Sequence, residues 1–414
     1  MEGDFIKINE WLLPLSWLYG LGVRFRNALF EMGILKQHSY SLPVISVGNI
    51  TVGGSGKTPH VEYLVRLLDN KAKVAVLSRG YKRKSKGYVL ANEHTPMEDI
   101  GDEPYQMKEK FPNIYVAVDK RRTEGIDRLT HDEETKDVDV ILLDDAFQHR
   151  YVKPGINILL VDYHRLIIYD KLIPAGRLRE PLEGKSRADI VIITKCPADL
   201  KPMEIRVLTK AMDLYPYQDL YFTTLQYEPL RRYDDLSDNP AQKAMSLKDI
   251  HGYNVLLLTG IASPKQILND LDPYGLKVTP MTFGDHHNFS SRDIDSINDK
   301  FAAMQTPKII LTTEKDASRL QGQAGLSELT KENLYVLPIR IKFMLNQEEQ
   351  FNQKIISYVR KNSRNSILFK RKDNAESQNR HRSGNKVHTI SFKNNGCSMN
   401  PQVRTSVTTL LSSD

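Results

Sequence analysis

The segment VISVGNITVGGSGKTPH, residues 44–60, decides the fold of this chain of 414 residues. Its first residues are apolar and β-branched, as in a buried strand, and a glycine-rich loop follows that ends in Gly56-Lys57-Thr58. Glycine allows backbone N–H groups to wrap a triphosphate, the lysine reaches the β and γ oxygens, and the hydroxyl binds Mg²⁺. The segment therefore predicts a P-loop that binds a nucleoside triphosphate.

The loop departs from the pattern G-x-x-x-x-G-K-[ST] at its first position, where Thr51 replaces glycine. A glycine loop that arises by chance is the alternative, but the strand before it, the Gly53-Gly54 pair and the helical segment after it favour the P-loop. We therefore expect nucleotide contacts along the whole loop. The residues concerned are Thr51, Val52, Gly53, Gly54, Ser55, Gly56, Lys57 and Thr58.

A second motif, VDVILLDDAFQHR at residues 138–150, has the form of a Walker B strand. Consecutive apolar residues lead into Asp144-Asp145, and a carboxylate at this position holds Mg²⁺ opposite the P-loop. Many strands end in aspartate at a turn, so the motif gains its weight from the P-loop beside it. It predicts that at least one of these carboxylates serves the metal.

The sequence Gly101-Asp102-Glu103-Pro104 is expected to open a helix, because proline suits the first helical turn and acidic residues suit a helix N-terminus. Composition alone favours simple helix capping. The functional alternative makes Asp102 a general base that accepts a hydroxyl proton during phosphoryl transfer. The residues alone leave both interpretations open.

Two further loops are rich in positive charge. Residues 78–84, SRGYKRK, follow a predicted strand, and five basic residues lie between Arg79 and Lys86. The carboxyl ends of parallel strands line the ligand crevice of such sheets, so this loop would suit an anionic substrate, although a solvated basic loop explains it equally well. The arginines of GRLREP at 176–181 are available to bind phosphate.

The second half of the chain contains FGDHH at 283–287 and TTEKD at 312–316. An aspartate beside two histidines at a strand end offers an orienting carboxylate or the partner of a base, although a lone histidine is most often structural. No H-x-E or H-x-x-x-H spacing surrounds His286-His287, so we expect no zinc site there.

Short, continuously apolar runs separated by helix-sized polar stretches predict an α/β fold, because strands of a parallel sheet are buried on both faces. The runs lie at 44–47, 74–77, 115–118, 138–143, 158–161 and 190–193, and then at 255–258, 309–311 and 335–337. We predict a P-loop NTPase-like chain with two α/β/α domains joined by a short hinge. The P-loop domain is expected at 39–222, a linker or hairpin at 223–245, and a smaller α/β domain at 246–360.

Residues 1–38 are expected to contain a membrane-associating helix. WLLPLSWLYGLGV at 11–23 has no charge, both tryptophans of the chain lie in it, and Arg24 and Arg26 follow. Its 13 residues are fewer than the roughly 20 that span a bilayer, and tryptophan prefers the membrane–water interface. No basic region precedes it, so a removable signal peptide is not expected. A helix packed on the protein's own core is the alternative.

The net charge of +7 comes from the end of the chain. Residues 361–414 carry 10 basic and 3 acidic residues, which leaves 48 of each sign in the remainder. This segment has too little apolar surface to offset the cost of ordering, so we expect a basic, disordered tail. The neutral body argues against nucleic-acid binding, and two distant cysteines, Cys196 and Cys397, exclude a disulfide framework.

Together the motifs closely resemble those of the tetraacyldisaccharide 4′-kinases, the lipid A 4′-kinases of Gram-negative bacteria. The matching pieces run in order along the chain: SVGNITVGGSGKTP, LSRGYKR, GDEP, LLDDAFQHR, IPAGRLREP, ITKCP, GDHH and LTTEKDA. The resemblance covers roughly residues 1–360, including the Thr51 loop. It implies transfer of the ATP γ-phosphate to the 4′-hydroxyl of an acylated disaccharide 1-phosphate lipid, giving lipid IVA, on the cytoplasmic face of the bacterial inner membrane.

The resemblance also implies roles for individual residues. Asp102 would be the catalytic base with His286 as its partner, and Lys57 would keep its P-loop role. The residues that would serve Mg²⁺ or phosphate are Thr58, Glu103, Asp144, Asp145 and Glu180, and those that would bind the substrate or its phosphate are Arg79, Tyr81 and Arg179. The implied cofactors are ATP and Mg²⁺. The implied partners are the lipid substrate and the inner-membrane surface, with no nucleic acid and no obligate protein partner.

A non-kinase P-loop NTPase, such as a nucleotide-driven switch or a metal-delivery protein, is the main alternative. Guanine recognition uses Asn/Thr-Lys-x-Asp after a strand, and here Thr194-Lys195-Cys196-Pro197 has proline in place of the aspartate. This departure disfavours a GTPase. Product formation on a lipid acceptor, compared with ATP hydrolysis alone, distinguishes these classes of protein.

Overall fold

The computed structural model describes residues 8–233, 245–260, 265–284, 287–321 and 323–362. The strands are β1 (Val44–Gly48), β2 (Val74–Ser78), β3 (Val89–Leu90), β4 (Tyr115–Val118), β5 (Val140–Asp144), β6 (Ile156–Asp162), β7 (Ile190–Thr194), β8 (Asp219–Tyr227), β9 (Arg231–Arg232), β10 (Asn254–Thr259), β11 (Lys277–Thr282), β12 (Lys308–Thr312), β13 (Leu334–Val336) and β14 (Ile339–Phe343). The helices are α1 (Leu13–Glu31), α2 (Lys57–Leu68), α3 (Met97–Ile100), α4 (Asp102–Lys110), α5 (Arg122–His131), α6 (Pro202–Met212), α7 (Lys265–Leu271), α8 (Ser291–Ala302), α9 (Glu314–Leu320), α10 (Glu328–Glu332) and α11 (Glu348–Asn362).

Nine strands form the first sheet in the order β14-β8-β7-β6-β1-β5-β2-β4-β3. Neighbours are parallel except at the two edges, where β14 pairs with β8 and β3 pairs with β4 in antiparallel fashion. Val47 and Leu142 pack into a hydrophobic cluster on one face, and Leu77 and Leu143 pack into another on the opposite face. The sheet is therefore the middle of three α/β/α layers, which explains its continuously apolar strands.

The strand β1 lies inside this sheet, between β5 and β6. Val47 of β1 is paired with Asp144 of β5, so the P-loop and the Asp144-Asp145 pair leave the sheet side by side. Open α/β sheets bind their ligands at this carboxyl edge of the strands. The P-loop NTPase-like α/β fold predicted from the sequence is confirmed.

A second sheet contains five strands in the order β11-β10-β12-β13-β9, all parallel except β9. Leu257 and Leu311 belong to a hydrophobic cluster on one face, and Leu256 and Ile310 belong to another. Apolar side chains therefore cover both faces of this sheet as well.

The chain returns to the first sheet after the second one is complete. β14 pairs with β8, and α11 packs Phe351 and Ile355 into the core of the first sheet. The last strand and helix of the expected domain 246–360 thus belong to the first sheet. In the expected linker 223–245, residues 223–227 complete β8, and β9 joins the second sheet. β8 mixes apolar and polar residues, β9 is only Arg231-Arg232, and β14 alternates apolar with polar residues, so none of them has the continuous apolar run that predicts a buried strand.

The N-terminal segment forms a 3₁₀ turn at Glu10–Leu12 that continues into α1. Pro14 lies in the first turn of α1, where its missing N–H costs no hydrogen bond. Within the described ranges, no helix is both long enough and apolar enough to cross a membrane. The expected tail 361–414 begins inside α11, which ends at Asn362, and the rest of it lies outside the described residues.

Candidate functional site

The P-loop connects β1 to α2 in a conformation set by its glycines and by nearby side chains. Gly56 has a φ of +79°, which glycine adopts without strain, and Lys57 begins α2. Asn49 Nδ2 donates to Ser55 Oγ at 2.8 Å, and Thr194 Oγ1 donates to the Ser55 carbonyl at 3.0 Å. The loop is therefore held in place at the N-terminus of a helix, where backbone N–H groups favour an anion.

The threonine that departs from the P-loop pattern has a structural explanation. Thr51 forms an antiparallel bridge with Leu178 of the GRLREP loop, and the Arg179 N–H donates to the Ile50 carbonyl at 2.7 Å. Extended pairing of this kind favours a β-branched residue over glycine. The pairing also places the GRLREP loop directly beside the P-loop.

The charged residues of these loops converge on Asp145. Lys57 Nζ lies 3.6 Å from Asp145 Oδ1, and Arg179 Nη1 lies 3.9 Å from Asp145 Oδ2. Asp145 follows β5 with a φ of +47°, and its side chain is partly exposed. The structure thus brings together the P-loop lysine, one Walker B carboxylate and one arginine expected to bind phosphate.

Asp144 is a buried carboxylate at the end of β5. Its Oδ2 accepts a hydrogen bond of 3.5 Å from the Ser78 hydroxyl, whereas Oδ1 has no hydrogen-bond partner among the residues that the structure describes. Burial, and then the negative charges of Glu103 and Asp145, raise the pKa of Asp144 to about 7. A cation bound here would relieve this repulsion.

A magnesium ion fits this group of residues. Asp144, Asp145 and Glu103 supply carboxylate oxygens, and Thr58 supplies a hydroxyl at the start of α2. Mg²⁺ usually takes one or two protein carboxylates and completes its shell with water and substrate phosphates. The described part of the chain contains no group of three or more His, Cys, Asp or Glu that could hold a metal by itself. The residues suit a metal that binds together with a nucleotide.

The GDEP motif begins α4, which faces the TTEKD motif of the second sheet. Glu103 Oε1 lies 3.4 Å from Lys315 Nζ, and Arg319 Nε donates to Asp102 Oδ2 at 3.0 Å. Both acidic residues of GDEP therefore form ion pairs with α9. Both also lie in the first turn of α4, where acidic side chains are favourable, so the ion pairs add to that role at the helix N-terminus.

A cavity of about 300 Å³ opens between the P-loop and the second sheet. Its polar part is lined by Gly54, Ser55, Gly56, Lys57, Thr58, Glu103, Gln106, Lys195, Thr313, Glu314 and Lys315, and its apolar part by Leu225, Tyr227, Ile267, Leu337 and Ile339. A lining that combines P-loop groups with apolar side chains suits a nucleotide, whose base is planar and largely apolar.

The basic loop after β2 surrounds a second, more open cavity of about 380 Å³. Arg79 and Tyr81 are exposed in this loop, and Lys120 adds a further positive charge. Burial, together with the charges of Arg122, Arg26 and Arg79, lowers the pKa of His149 to about 4, so the loop lies near the end of the DAFQHR motif. This position is open to an anionic acceptor.

Glu180 and His286 are the two remaining site residues expected from the sequence. Glu180 is 2% exposed, and its Oε2 accepts a hydrogen bond from Arg187, whereas its Oε1 has no hydrogen-bond partner among the described residues. His286 and the preceding Asp285 lie outside the described residues. Their neighbour His287 pairs with Asp293 at 3.0 Å.

Lys195 is a site residue that the sequence did not identify. Its Nζ donates to the Gly54 carbonyl of the P-loop and to Asp162 Oδ2 at 2.7 Å. One feature of the sequence does point to Lys195: Thr194-Lys195 follows a strand and matches the start of the Asn/Thr-Lys-x-Asp pattern, whose lysine binds the nucleotide. The proline at position 197, where guanine-binding proteins carry an aspartate, conceals this signal.

The tetraacyldisaccharide-1-P 4′-kinase family matches this chain over residues 8–360. A tetraacyldisaccharide 4′-kinase of Phocaeicola vulgatus is 57% identical over 368 residues, which cover 88% of this chain and 99% of that relative. A tetraacyldisaccharide 4′-kinase of Bacteroides thetaiotaomicron is 50% identical over 377 residues, which cover 90% and 99% of the two chains.

The fold is also similar to a solved structure. A crystal structure of the "apo" form of LpxK from Aquifex aeolicus in complex with ATP matches with a TM-score of 0.64 and 32% sequence identity, and covers 84% of this chain and 98% of that one. The residues matched by the family include every motif from the P-loop to TTEKD. The chain therefore belongs to the tetraacyldisaccharide-1-P 4′-kinase family.

Proposed function

We propose that this chain transfers the γ-phosphoryl group of ATP to the 4′-hydroxyl of a tetraacyldisaccharide 1-phosphate at the cytoplasmic face of the inner membrane, with Asp102 as the general base. The observation that carries the proposal is the position of Glu103. It lines the same cavity as Lys57, and its charge acts on Asp144. The GDEP motif, the P-loop and the Walker B strand therefore meet at one site.

Each group at this site has a distinct part in phosphoryl transfer. Mg²⁺, when bound, would neutralise charge on the triphosphate, held by Asp144 and Thr58 with Asp145 or Glu103. Lys57 places a positive charge at the β and γ oxygens, where charge changes during transfer. Release of Lys57 from Asp145 costs little, since the pair is partly exposed and 3.6 Å apart.

Asp102 begins α4 next to Glu103, which lines the cavity together with Lys57. A carboxylate there would take the proton of the acceptor hydroxyl as the phosphorus–oxygen bond forms. We assign His286 as its partner on the family resemblance. Arg79, Tyr81 and Arg179 would bind the acceptor and its phosphate on the open side of the site.

The N-terminal helix supports a membrane-bound acceptor. The Ser16 hydroxyl donates to the Leu172 carbonyl and accepts from the Ala175 N–H, both at 2.9 Å, and a Cβ at Gly20 would come within 2.7 Å of Leu172. One side of α1 is thus packed on the protein. The other side exposes large apolar side chains: Trp11, Leu15, Trp17, Leu18, Leu21 and Phe25. Such a face beside Arg24 and Arg26 suits insertion at an anionic bilayer surface.

The test is transfer of labelled γ-phosphate from ATP to a tetraacyldisaccharide 1-phosphate dispersed in detergent or vesicles. We expect a lipid product that carries one additional phosphate, detected by thin-layer chromatography and mass spectrometry, and little ATP hydrolysis without the acceptor. Hydrolysis that proceeds equally well without acceptor, with no phosphorylated lipid, would instead support a nucleotide-driven switch.

A further inference from the structure

A buried arginine of the second sheet reaches the helix that carries Asp102. Arg319 lies in α9, and its side chain is 1% exposed. Its Nε donates to Asp102 Oδ2 at 3.0 Å, and its Nη2 donates to the same oxygen. Two donors on one carboxylate oxygen restrict both its position and its direction. Asp102 belongs to a helix of the first sheet, so this contact joins the two sheets at the site.

The guanidinium of Arg319 is itself held by a buried carboxylate. Asp316 Oδ1 accepts from Arg319 Nη1 at 3.1 Å, and Asp316 Oδ2 accepts from the Thr313 hydroxyl at 2.7 Å and the Gly260 N–H at 2.9 Å. The Asp316 side chain is fully buried. Because the guanidinium is planar and rigid, fixing one edge on Asp316 fixes the other edge toward Asp102.

The end of β10 is shaped around this group. A Cβ at Gly260 would lie 2.8 Å from Asp316 Oδ1, so a larger residue there would displace the carboxylate. A chain of hydrogen bonds therefore runs from the backbone of β10 through Asp316 and Arg319 to Asp102.

The contact between α4 and α9 does not depend on Arg319 alone. Lys110 Nζ lies 2.6 Å from Glu314 Oε1 and 2.7 Å from Glu62 Oε2, in a largely buried group. Glu103 pairs with Lys315 in addition. The two helices thus have other ion pairs to hold them together besides the contact from Arg319 to Asp102.

We propose that Arg319 is the positioning residue of Asp102: from the second sheet it holds the carboxylate of the base where the acceptor hydroxyl must arrive. This inference rests on the proposed role of Asp102. A misplacement of about 1 Å in such a group lowers turnover by roughly 10²-fold, although the chemistry of the carboxylate is unchanged. Arg319 then acts through Asp102 and touches neither the nucleotide nor the acceptor.

The test compares Arg319→Gln, Arg319→Lys, Asp102→Ala and the double variant Arg319→Gln with Asp102→Ala. We expect Arg319→Gln to lower kcat by roughly 10²-fold with the KM for ATP nearly unchanged. Arg319→Lys should recover part of kcat, since it keeps the charge and loses the planar fork. In the Asp102→Ala background, Arg319→Gln should cause no further loss, because residues that act as a unit are non-additive.

Lys185→Met is the matched control. Lys185 is also a buried cation, but it donates to the backbone carbonyls of Met212 and Asp213 and not to Asp102. This variant should lower the thermal unfolding midpoint and leave kcat unchanged. An Arg319→Gln variant with normal kcat, or losses that multiply in the double variant, would overturn the inference while the role of Asp102 stands. If Arg319→Gln does not fold, a folded Arg319→Lys with full kcat would overturn it equally. An active Asp102→Ala would remove the proposed base and this inference with it.

Discussion

The Tyr19 hydroxyl of the N-terminal helix donates a hydrogen bond of 2.7 Å to the backbone carbonyl of Arg179. The N–H of Arg179 donates in turn to the Ile50 carbonyl just before the P-loop, and its guanidinium approaches Asp145. One loop therefore connects an apolar surface helix to both nucleotide motifs. An acceptor that reaches the protein along α1 would arrive directly beside the phosphates.

The P-loop lysine gives the most direct prediction. Lys57→Ala should lower kcat by at least about 10²-fold, because it removes a positive charge that stabilises the transferred phosphate in a partly buried site. The measurement is the initial rate of lipid phosphorylation at saturating ATP. Lys136→Ala is the control, since Lys136 is a surface lysine paired with Glu133. Near-normal activity of Lys57→Ala would mean that the loop at 51–58 does not hold the triphosphate.

The proposed base and its partner predict a non-additive pair. Asp102→Ala and His286→Ala should each lower kcat by about 10²–10⁴-fold with little change in ATP affinity. The double variant should be no slower than the slower single variant, because both residues serve one proton transfer. Single-turnover rates and ATP binding, measured on the same preparations, check this. A double loss equal to the product of the two single losses would show that the residues act independently.

The lysine that the sequence analysis missed should affect nucleotide affinity. Lys195→Met removes the ammonium that joins Gly54 of the P-loop to Asp162, so the loop loses one support without losing a phosphate ligand. We expect the KM for ATP to rise by about tenfold or more, because one charge-assisted hydrogen bond contributes about 1.5–3 kcal/mol and about 1.4 kcal/mol corresponds to a factor of ten, while kcat changes less. Lys210→Met, on the outer side of α6, is the control. A fall in kcat with unchanged KM would contradict this role.

His60 provides a pH-dependent prediction. His60 Nδ1 lies 2.7 Å from the Gly56 carbonyl, which can only accept, so Nδ1 carries the proton and Nε2 accepts from the Thr223 hydroxyl at 3.1 Å. Burial lowers the pKa of this neutral imidazole from 6.5 to about 4. Its contribution to stability is therefore fully present above pH 6.5, where His60 is neutral in both the folded and the unfolded chain. It is lost as the pH falls toward 4, because over this range the unfolded chain binds a proton at His60 and the folded chain does not.

Between pH 6.5 and pH 4, His60 should lower the free energy of unfolding by about 1.4 kcal/mol for each unit by which the pH falls. His60→Gln keeps a donor and an acceptor but does not titrate in this range. Urea unfolding at pH 7 and pH 4.5 should therefore show a smaller loss of stability for the variant than for the parent. Equal losses would indicate that His60 is protonated in the folded protein.

Local sequence was sufficient for the parts of the fold that are buried on both faces. β1 and β5 could be predicted because each is continuously apolar and each ends in a motif with its own chemistry. β14 could not, because IRIKF alternates apolar and polar residues at a sheet edge, and only its pairing with β8 identifies its place. The return of the chain to the first sheet depends on contacts that no local pattern contains.

The same limit applies to the site. Lys57 and Asp144 lie at fixed offsets from a strand, so the motifs identified them. Arg319 and Asp102 are 217 residues apart in sequence and meet only because α9 packs against α4. Nothing in the sequence near Arg319 indicates that it reaches an acidic residue of the first sheet. Side chains that support a site from another element are therefore the ones that sequence reasoning misses.

The last prediction concerns the exposed apolar surface of α1 and of the 3₁₀ turn before it, where Trp11 of the turn is 93% exposed and Trp17 of α1 is 84% exposed. Changing Trp11, Trp17 and Leu18 to serine leaves the contacts of Ser16 and Tyr19 intact, so the fold should persist. Flotation with anionic vesicles should then decrease strongly, because the apolar area available for insertion is lost. On a vesicle-borne acceptor the apparent KM should rise, while ATP binding is unchanged. The matched control changes three exposed apolar residues elsewhere to serine: Met203, Val207 and Leu329. If the α1 variant floats as well as this control, the membrane contact lies on another surface.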